Sequence, residues 1–172
     1  NKEIDLSKWS LGTLTVSQDN LGEYWVAIVC NSKEEYPTKA KLDKSKAVGI
    51  DLGIKDFAIL SDGTKFANPK YLEKKQDKLT HLQRNLSRKT KGSGRYNVAR
   101  LKVAKCQKEI SNKRYDFLQK LTTYVVRSEY DTFCLETLNV SGMLKNHKLA
   151  RSISSASWYS FKTILEYKCK EY

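Results

Sequence analysis

The spacing of apolar residues changes once along the chain, and this change limits the folds that the chain can adopt. Between residues 11 and 67, apolar residues alternate with polar ones or form short runs, which is typical of β-strands. Between residues 71 and 128 they recur at intervals of three and four, which predicts helices. Because Gly92-Ser93-Gly94 interrupts this stripe, we expect a long antiparallel helical hairpin that turns there. The stripe consists of Leu72, Leu79, Leu82, Leu86, Val103, Cys106, Ile110, Phe117, Leu121 and Tyr124 or Val125.

Short β segments precede the predicted helical hairpin. Residues 11–31 predict a β-hairpin, because alternating apolar residues flank the turn sequence Asp19-Asn20-Leu21-Gly22. The polar residues 32–46, which include Pro37, predict a linker. A three-stranded meander is predicted next, with strands at 46–52, 55–60 and 65–67.

The segments after the helical hairpin complete the predicted fold. An almost unbroken apolar run at 131–136 predicts a central strand. Ser141-Gly142 and Asn146 predict a loop, and residues 158–167 predict a last helix in which Trp158 and Phe161 pack into the core. This order of elements predicts an α/β fold with a mixed sheet and helices packed on it.

Positive charge is concentrated in the helical hairpin. The chain carries 32 Lys and Arg against 19 Asp and Glu, a net charge of +13, and residues 71–128 alone carry 16 Lys and Arg against 4 acids. Because so few acids are available for i,i+4 pairing, we expect these side chains to contact phosphates of a nucleic acid. Binding to a membrane surface is the weaker alternative, since the apolar stripe is needed to join the two helices. The predicted nucleic-acid-binding residues are Lys74, Lys75, Lys78, Arg84, Arg88, Lys89, Lys91, Arg95, Arg100, Lys102, Lys105 and Arg114, with Lys108 and Lys113 in the same rows.

The cysteines and the apolar runs exclude several classes of protein. None of Cys30, Cys106, Cys134 and Cys169 lies in a closely spaced pair, so the chain has no zinc-finger pattern, and we expect buried free thiols. The longest apolar run, residues 24–30, is far too short to span a bilayer. The two histidines, His81 and His147, are isolated and are predicted to be surface residues.

A single carboxylate flanked by glycines marks the first strand of the predicted meander. In Gly49-Ile50-Asp51-Leu52-Gly53, the acid lies in a strand that looks buried, so it needs a metal ion, a charged partner or a solvent cleft. The glycines would allow another backbone or a phosphate to approach closely. The alternative is a structural Asp at the end of a strand that bonds to a turn.

A second carboxylate, Glu136, ends the predicted strand 131–136. Two carboxylates on neighbouring strands would suit Mg²⁺ or Mn²⁺, which prefer oxygen ligands. Two such ions could clamp the attacking and leaving oxygens of a phosphodiester. The alternative is that Glu136 pairs with a nearby Lys.

Several stretches together resemble a known family. VGIDLGIKDFAILSDG, SNKRYDFLQKLT, DTFCLETLNVSGMLKNHKLARSISSASW and FKTILEYKCKEY, in this order, resemble the RuvC-type nuclease region of TnpB proteins. These are transposon-encoded, RNA-guided DNA endonucleases that are related to type V CRISPR effectors. Residues 11–31 resemble, more weakly, the last strands of the family's β-barrel (wedge) domain.

The resemblance implies a fold, a chemistry and partners. It implies an RNase H-like nuclease domain over residues 45–172, with the helical hairpin inserted at about 70–128, preceded by wedge strands and a linker over 1–44. Asp51 and Glu136 would be two of the three catalytic, metal-binding carboxylates of a Mg²⁺-dependent DNA endonuclease. The partners would be target DNA and a guide RNA, and the protein would act in the prokaryotic cytoplasm at the nucleoid.

The family's third catalytic Asp and its zinc ribbon have no counterpart in the sequence, and the chain starts at Asn1, so we expect a piece of a longer protein with little cleavage activity of its own. One alternative is an inactive remnant that only binds nucleic acid. Another is an ATPase related to actin and Hsp70, whose phosphate-binding strand the segment around Asp51 also resembles. That class needs a second phosphate strand and a chain roughly twice as long, which the sequence does not provide.

Overall fold

The structure, a computed structural model, describes residues 9–32, 42–143, 145 and 150–172. The predictions made for the linker around Pro37, for Asn146 and for His147 lie wholly or largely outside these residues. The described residues divide into two compact units. The first contains 9–32 and 78–108, and the second contains 42–77 and the described part of 109–172.

The first unit contains the predicted β-hairpin. Strands β1 (Trp9–Gln18) and β2 (Tyr24–Ser32) pair antiparallel, and the carboxylate of Asp19 accepts hydrogen bonds from the N–H groups of Leu21 and Glu23 in the turn. Such bonds from an Asp side chain to the following backbone stabilise a turn without any tertiary contact. The β-hairpin predicted from the turn sequence is therefore confirmed.

Two long helices follow the sheet strands of the meander, as the apolar stripe predicts. Helix α1 covers Tyr71–Ser87 and helix α2 covers Gly94–Val126, and Gly92 between them has a positive φ of 86°, which glycine adopts without strain. In the first unit the stripe buries Leu79, Val103 and Cys106. None of the described helices combines the length and the hydrophobicity that crossing a bilayer requires.

A four-stranded sheet in the order β5-β4-β3-β6 forms the second unit. Strands β3 (Ala47–Leu52), β4 (Asp56–Leu60) and β5 (Lys65–Ala67) form the predicted antiparallel meander. Strand β6 (Thr132–Leu135) pairs parallel to β3. The predicted α/β class with a mixed sheet is therefore confirmed.

The prediction that β6 is a central strand is wrong for the part of the chain that the structure describes. β6 lies at the edge of the sheet and pairs with β3 alone, whereas β3 and β4 occupy the centre. Phe133 and Leu135 pack against the core while Cys134 between them is exposed. The apolar run at 131–136 therefore reflects burial of only one face of β6.

The core of the second unit lies between one face of the sheet and the helices. Val48 and Ile50 of β3 and Phe57 of β4 are at most 3% exposed, and they belong to one cluster with Leu118 and Phe161. The ring of Phe57 packs edge-on against Phe161, with 5.5 Å between ring centroids. Trp158 and Phe161 are 5% and 0% exposed, which confirms that both pack into the core.

The chain after β6 is more helical than predicted. Residues Val140–Met143 form a short helix, α3, where a loop was expected, and Ala150–Ala156 form a helix, α4, that no sequence signal predicted. The last helix, α5 (Trp158–Glu171), is confirmed and extends four residues beyond its predicted end. Short helices of this kind lack the repeated apolar spacing by which sequence reveals longer ones.

All four cysteines are free thiols, as predicted, but only Cys106 is buried. Cys30 lies in β2, whose residues are all exposed, Cys134 lies on the open face of the sheet, and Cys169 lies on an exposed side of α5. The prediction of buried thiols is wrong for these three. For Cys134 the reason is that its apolar neighbours Phe133 and Leu135 point to the opposite face of the strand.

Candidate functional site

The two predicted carboxylates follow directly after neighbouring positions of two paired strands. Ile50 of β3 is in register with Leu135 of β6 in the parallel pair, and the next residues are Asp51 and Glu136. Adjacent strands lie about 4.8 Å apart. The register therefore brings the backbones of Asp51 and Glu136 close together at the carboxyl ends of the two strands.

Asp51 lies on the face of the sheet opposite the core. Its neighbours Ile50 and Leu52 are buried, whereas Asp51 itself is exposed, because successive side chains of a strand point to opposite faces. Cys134, which is in register with Gly49, is exposed on the same face. Glu136 is also exposed, so both carboxylates are open to solvent.

Strand β3 is largely buried as expected, but Asp51 itself is exposed, so the solvent alternative among the three predicted for it is met. An exposed carboxylate keeps its hydration and requires no partner. Within the described residues, neither Asp51 nor Glu136 takes part in an ion pair. The alternative in which a nearby Lys neutralises Glu136 finds no support in this part of the chain.

The two glycines that flank the Asp51 motif have different surroundings. A Cβ atom on Gly53 would lie 2.7 Å from the carbonyl oxygen of Asp56, closer than real Cβ atoms come to an oxygen. A Cβ atom on Gly49 would meet the Cβ of Ser61 at 3.6 Å, an ordinary contact. Only Gly53 is therefore required by a close approach, and the approaching group is the chain's own backbone in the turn from β3 to β4.

The carboxylate pair matches the requirements of magnesium. Mg²⁺ keeps several waters and is usually bound through one or two carboxylates together with phosphates of the substrate. No cluster of three or more His, Cys, Asp or Glu side chains that could hold a metal occurs among the described residues. Asp51 and Glu136 therefore do not form a complete protein cage, and they could hold an ion only together with water or another ligand.

Ten of the twelve predicted nucleic-acid-binding residues are exposed. Lys75 is only partly exposed, and its ammonium group lies 3.0 Å from a carboxylate oxygen of Glu109. Arg114 is half-buried beside Phe117, and burial lowers the pKa of its guanidinium. These two cations are less available to a phosphate than the others.

Residues 78–108 carry ten Lys and Arg and no Asp or Glu. Among the described ion pairs, the only ones made by this segment join Lys108 to Asp19 and Glu23, at 2.7 and 2.6 Å. The predicted lack of i,i+4 pairs is wrong for the later part of α2, where Glu109 lies 3.4 Å from Lys113 and Asp116 lies 2.7 Å from Lys120. We call residues 78–108 the acid-free segment.

Lys108 is the one cation of the acid-free segment that the fold clearly neutralises. Its ammonium group bonds to both turn acids of the β-hairpin and lies 5.1 Å from the ring centre of Trp25. The bond from Lys108 holds the pKa of the Asp19 carboxyl well below its usual range. Sequence reasoning missed this cluster, because nothing local links residues 89 positions apart. His81 is exposed, as predicted.

Comparison with known proteins decides the family. Residues 27–147 match the family model OrfB_IS605, which is described as "Probable transposase". This match covers well over half of the chain. The chain belongs to this family. The TnpB-type resemblance predicted from the motifs is thereby confirmed.

Two curated relatives of this OrfB_IS605 chain carry related names. A protein from Streptomyces pristinaespiralis named "Putative RNA-guided DNA endonuclease" is 44% identical over 160 residues, which is 93% of the chain and 39% of that relative. "Putative RNA-guided DNA endonuclease InsQ" from Escherichia coli (strain K12) is 34% identical over 170 residues, 90% of the chain and 41% of that relative. The chain thus spans about two fifths of the length of both relatives.

Proposed function

We propose that the chain supplies the RuvC-like nuclease region of a transposon-associated, RNA-guided DNA endonuclease of the TnpB type. The observation that supports this proposal is the parallel register that pairs Ile50 of β3 with Leu135 of β6, the residues directly before Asp51 and Glu136. The sheet order of an antiparallel meander joined to a parallel strand is compatible with an RNase H-like domain. The family match and the names of the two relatives support the same conclusion.

The two carboxylates would bind Mg²⁺ together with a phosphate of the DNA strand. A bound Mg²⁺ polarises the phosphoryl oxygens and lowers the pKa of a bound water. Asp51 and Glu136 would hold the ion through charged oxygens that the open sheet face leaves accessible to a polymer. Because two carboxylates fill few coordination positions, we expect weak metal binding and little cleavage by these 172 residues alone.

The acid-free segment would hold the nucleic acid. Nine of its ten cations form no ion pair within the described residues, and all nine are exposed. Rows of such side chains bind phosphates strongly and with little regard to sequence, which suits both a guide RNA and a DNA target. Residues 9–32 would belong to a wedge-type β-barrel domain of the longer protein.

A second candidate is a remnant that binds nucleic acid without cleaving it. It is favoured by the absence, within the described ranges, of a third ligand beside the carboxylate pair. The two candidates differ in metal binding, since a remnant has no reason to retain a Mg²⁺ site.

A Mn²⁺ titration followed by electron paramagnetic resonance of the unbound ion separates the candidates. Asp51→Asn and Glu136→Gln should each abolish the strongest Mn²⁺ binding, and excess Mg²⁺ should compete for it. Glu171→Gln, which neutralises an exposed acid at the end of α5, is the matched control and should leave Mn²⁺ binding unchanged. Equal Mn²⁺ binding in all four proteins would exclude the proposed metal site and leave the remnant.

A further inference from the structure

A cleft opens in the second unit beside Glu136. It lies between the end of β6 and helix α5 and has a volume of about 220 Å³. Sites for drug-sized ligands usually occupy about 300–1,000 Å³. The cleft is therefore large enough for one planar group of a ligand, and the rest of that ligand would lie outside the cleft.

One wall of the cleft is apolar. It consists of Leu52, Leu135, Leu138 and Trp158. Trp158 is 5% exposed, and its indole N–H has no hydrogen-bond partner among the described residues. A buried donor without a partner costs about 1–3 kcal/mol. A wall of this kind favours a flat, mainly apolar group.

Four further lining residues come from α5, the helix that begins with Trp158. Tyr159, Lys162, Thr163 and Glu166 recur at helical spacing and line the cleft, while Phe161 and Ile164 face the core. Tyr159 is 78% exposed, and its ring stacks on no other aromatic ring within the described part of the chain. An exposed ring next to an apolar wall is a typical platform for stacking a base.

Glu136 gives the cleft one net negative charge, which a Mg²⁺ ion bound at the carboxylate pair would offset. Lys162 lies 3.7 Å from Glu166, so these two charges offset each other. Helix α5 begins at Trp158, which places the positive end of its dipole at the cleft. The Ser157 side chain makes no capping bond to the N–H groups of the first turn.

From these features we infer that the cleft is a base-binding subsite for a single DNA strand, with Tyr159 as the stacking residue. This inference rests on the proposed function, because the cleft borders Glu136 and the bound strand would pass that carboxylate. The subsite holds the nucleotide next to the phosphate at the carboxylate pair. Phosphate contacts from the acid-free segment supply most of the affinity, and the cleft adds a preference for strands that carry bases.

The test compares two strands of equal charge. One is a twelve-residue oligothymidylate, and the other has the same number of phosphates but only abasic sites. Replacing Trp9 and Trp25 by Phe leaves Trp158 as the only tryptophan of the chain, so its fluorescence reports on the cleft. We expect oligothymidylate to quench Trp158 and the abasic strand to leave its emission unchanged.

Affinity measurements on two variants test the role of Tyr159. Tyr159→Ala should weaken oligothymidylate binding about fivefold or more while leaving abasic-strand binding within about twofold. Tyr115→Ala removes a similarly exposed ring on α2 away from the cleft, and it should bind both strands like the parent protein.

The failures of the two proposals are distinguishable. If neither strand binds, the nucleic-acid function itself is wrong. If both strands bind but Trp158 is not quenched and Tyr159→Ala has no effect, the subsite is wrong and the proposed function stands. Equal quenching by both strands, or quenching only by oligouridylate RNA, would also overturn the subsite.

Discussion

The ammonium group of Lys168 lies 2.9 Å from the hydroxyl oxygen of Thr122, inside the contact between α5 and α2. It also donates hydrogen bonds to the carbonyl oxygen of Gln119 at 2.8 Å and to the hydroxyl of Thr123 at 2.7 Å. Lys168 is 5% exposed, and none of these three acceptors carries a charge. The cation therefore joins α5 to α2 through hydrogen bonds alone, and in this way holds the helix that lines the cleft.

The first prediction is a pH dependence of stability that Lys168 causes. Burial lowers the pKa of its amine below the ordinary 10.5. Between the lowered value and 10.5 the unfolded chain binds more protons than the folded one, so the free energy of unfolding should increase as the pH rises through this window. Urea unfolding between pH 8 and 10.5 should show this increase for the parent protein relative to Lys168→Met.

Other groups that titrate between pH 8 and 10.5 are present in both the parent protein and Lys168→Met. Their contributions to the pH dependence therefore cancel when the two proteins are compared. Lys170→Met, which removes an exposed lysine from the same helix, should follow the parent protein at every pH. Parallel curves for the parent protein and Lys168→Met would show that burial does not perturb this amine.

The second prediction concerns the two glycines that flank Asp51. Gly53→Ala should lower the free energy of unfolding by about 1–3 kcal/mol, because the new Cβ would overlap the carbonyl oxygen of Asp56. Gly49→Ala, with only an ordinary contact to Ser61, should change it by less than about 0.5 kcal/mol. Denaturant unfolding of the two variants measures the difference, and equal losses would contradict the assigned role of Gly53.

The third prediction contrasts the two sides of α5. Phe161→Ala should destabilise the protein by about 3–5 kcal/mol, because Phe161 is fully buried and packs edge-on against Phe57. Tyr159→Ala, two residues earlier and largely exposed, should cost less than about 0.5 kcal/mol. Thermal or urea unfolding would contradict the described core if the two losses were alike.

The fourth prediction concerns binding by the acid-free segment. Replacing Arg84, Arg88 and Lys89 by Glu should weaken binding to all nucleic-acid sequences alike. For single strands, the slope of log affinity against log salt concentration should fall by about 2, since each lost phosphate contact removes about 0.7. Fluorescence anisotropy over a range of salt concentrations measures both effects.

The control for this prediction has the same net charge. Replacing Lys44, Lys55 and Lys170, three exposed lysines outside the acid-free segment, by Glu changes the total charge equally. If these replacements weaken binding as much as the first set, net charge and not the acid-free segment governs affinity. An unchanged salt slope in the first set would likewise remove the segment from the binding surface.

Local patterns were enough to predict most elements of the fold. The Asp19 turn sequence specified the β-hairpin, and glycines around residue 92 specified the helix break. One further signal was present but misread. Val48, Ile50 and Leu52 alternate with Gly49 and Asp51, and this alternation already indicated that Asp51 lies on the face away from the core.

The amino-acid sequence by itself determined the strands, the long helices, the acid-free segment and the two carboxylates at strand ends, since turn chemistry and apolar spacing act between near neighbours. Only the tertiary structure decided that β6 lies at an edge of the described sheet and that Asp19 neutralises Lys108. It alone also decided that Lys168 is buried, which no local sequence pattern indicates. These features depend on which distant segments pack together. Burial and ion pairing are properties of such contacts, and a residue's own neighbours in sequence do not set them.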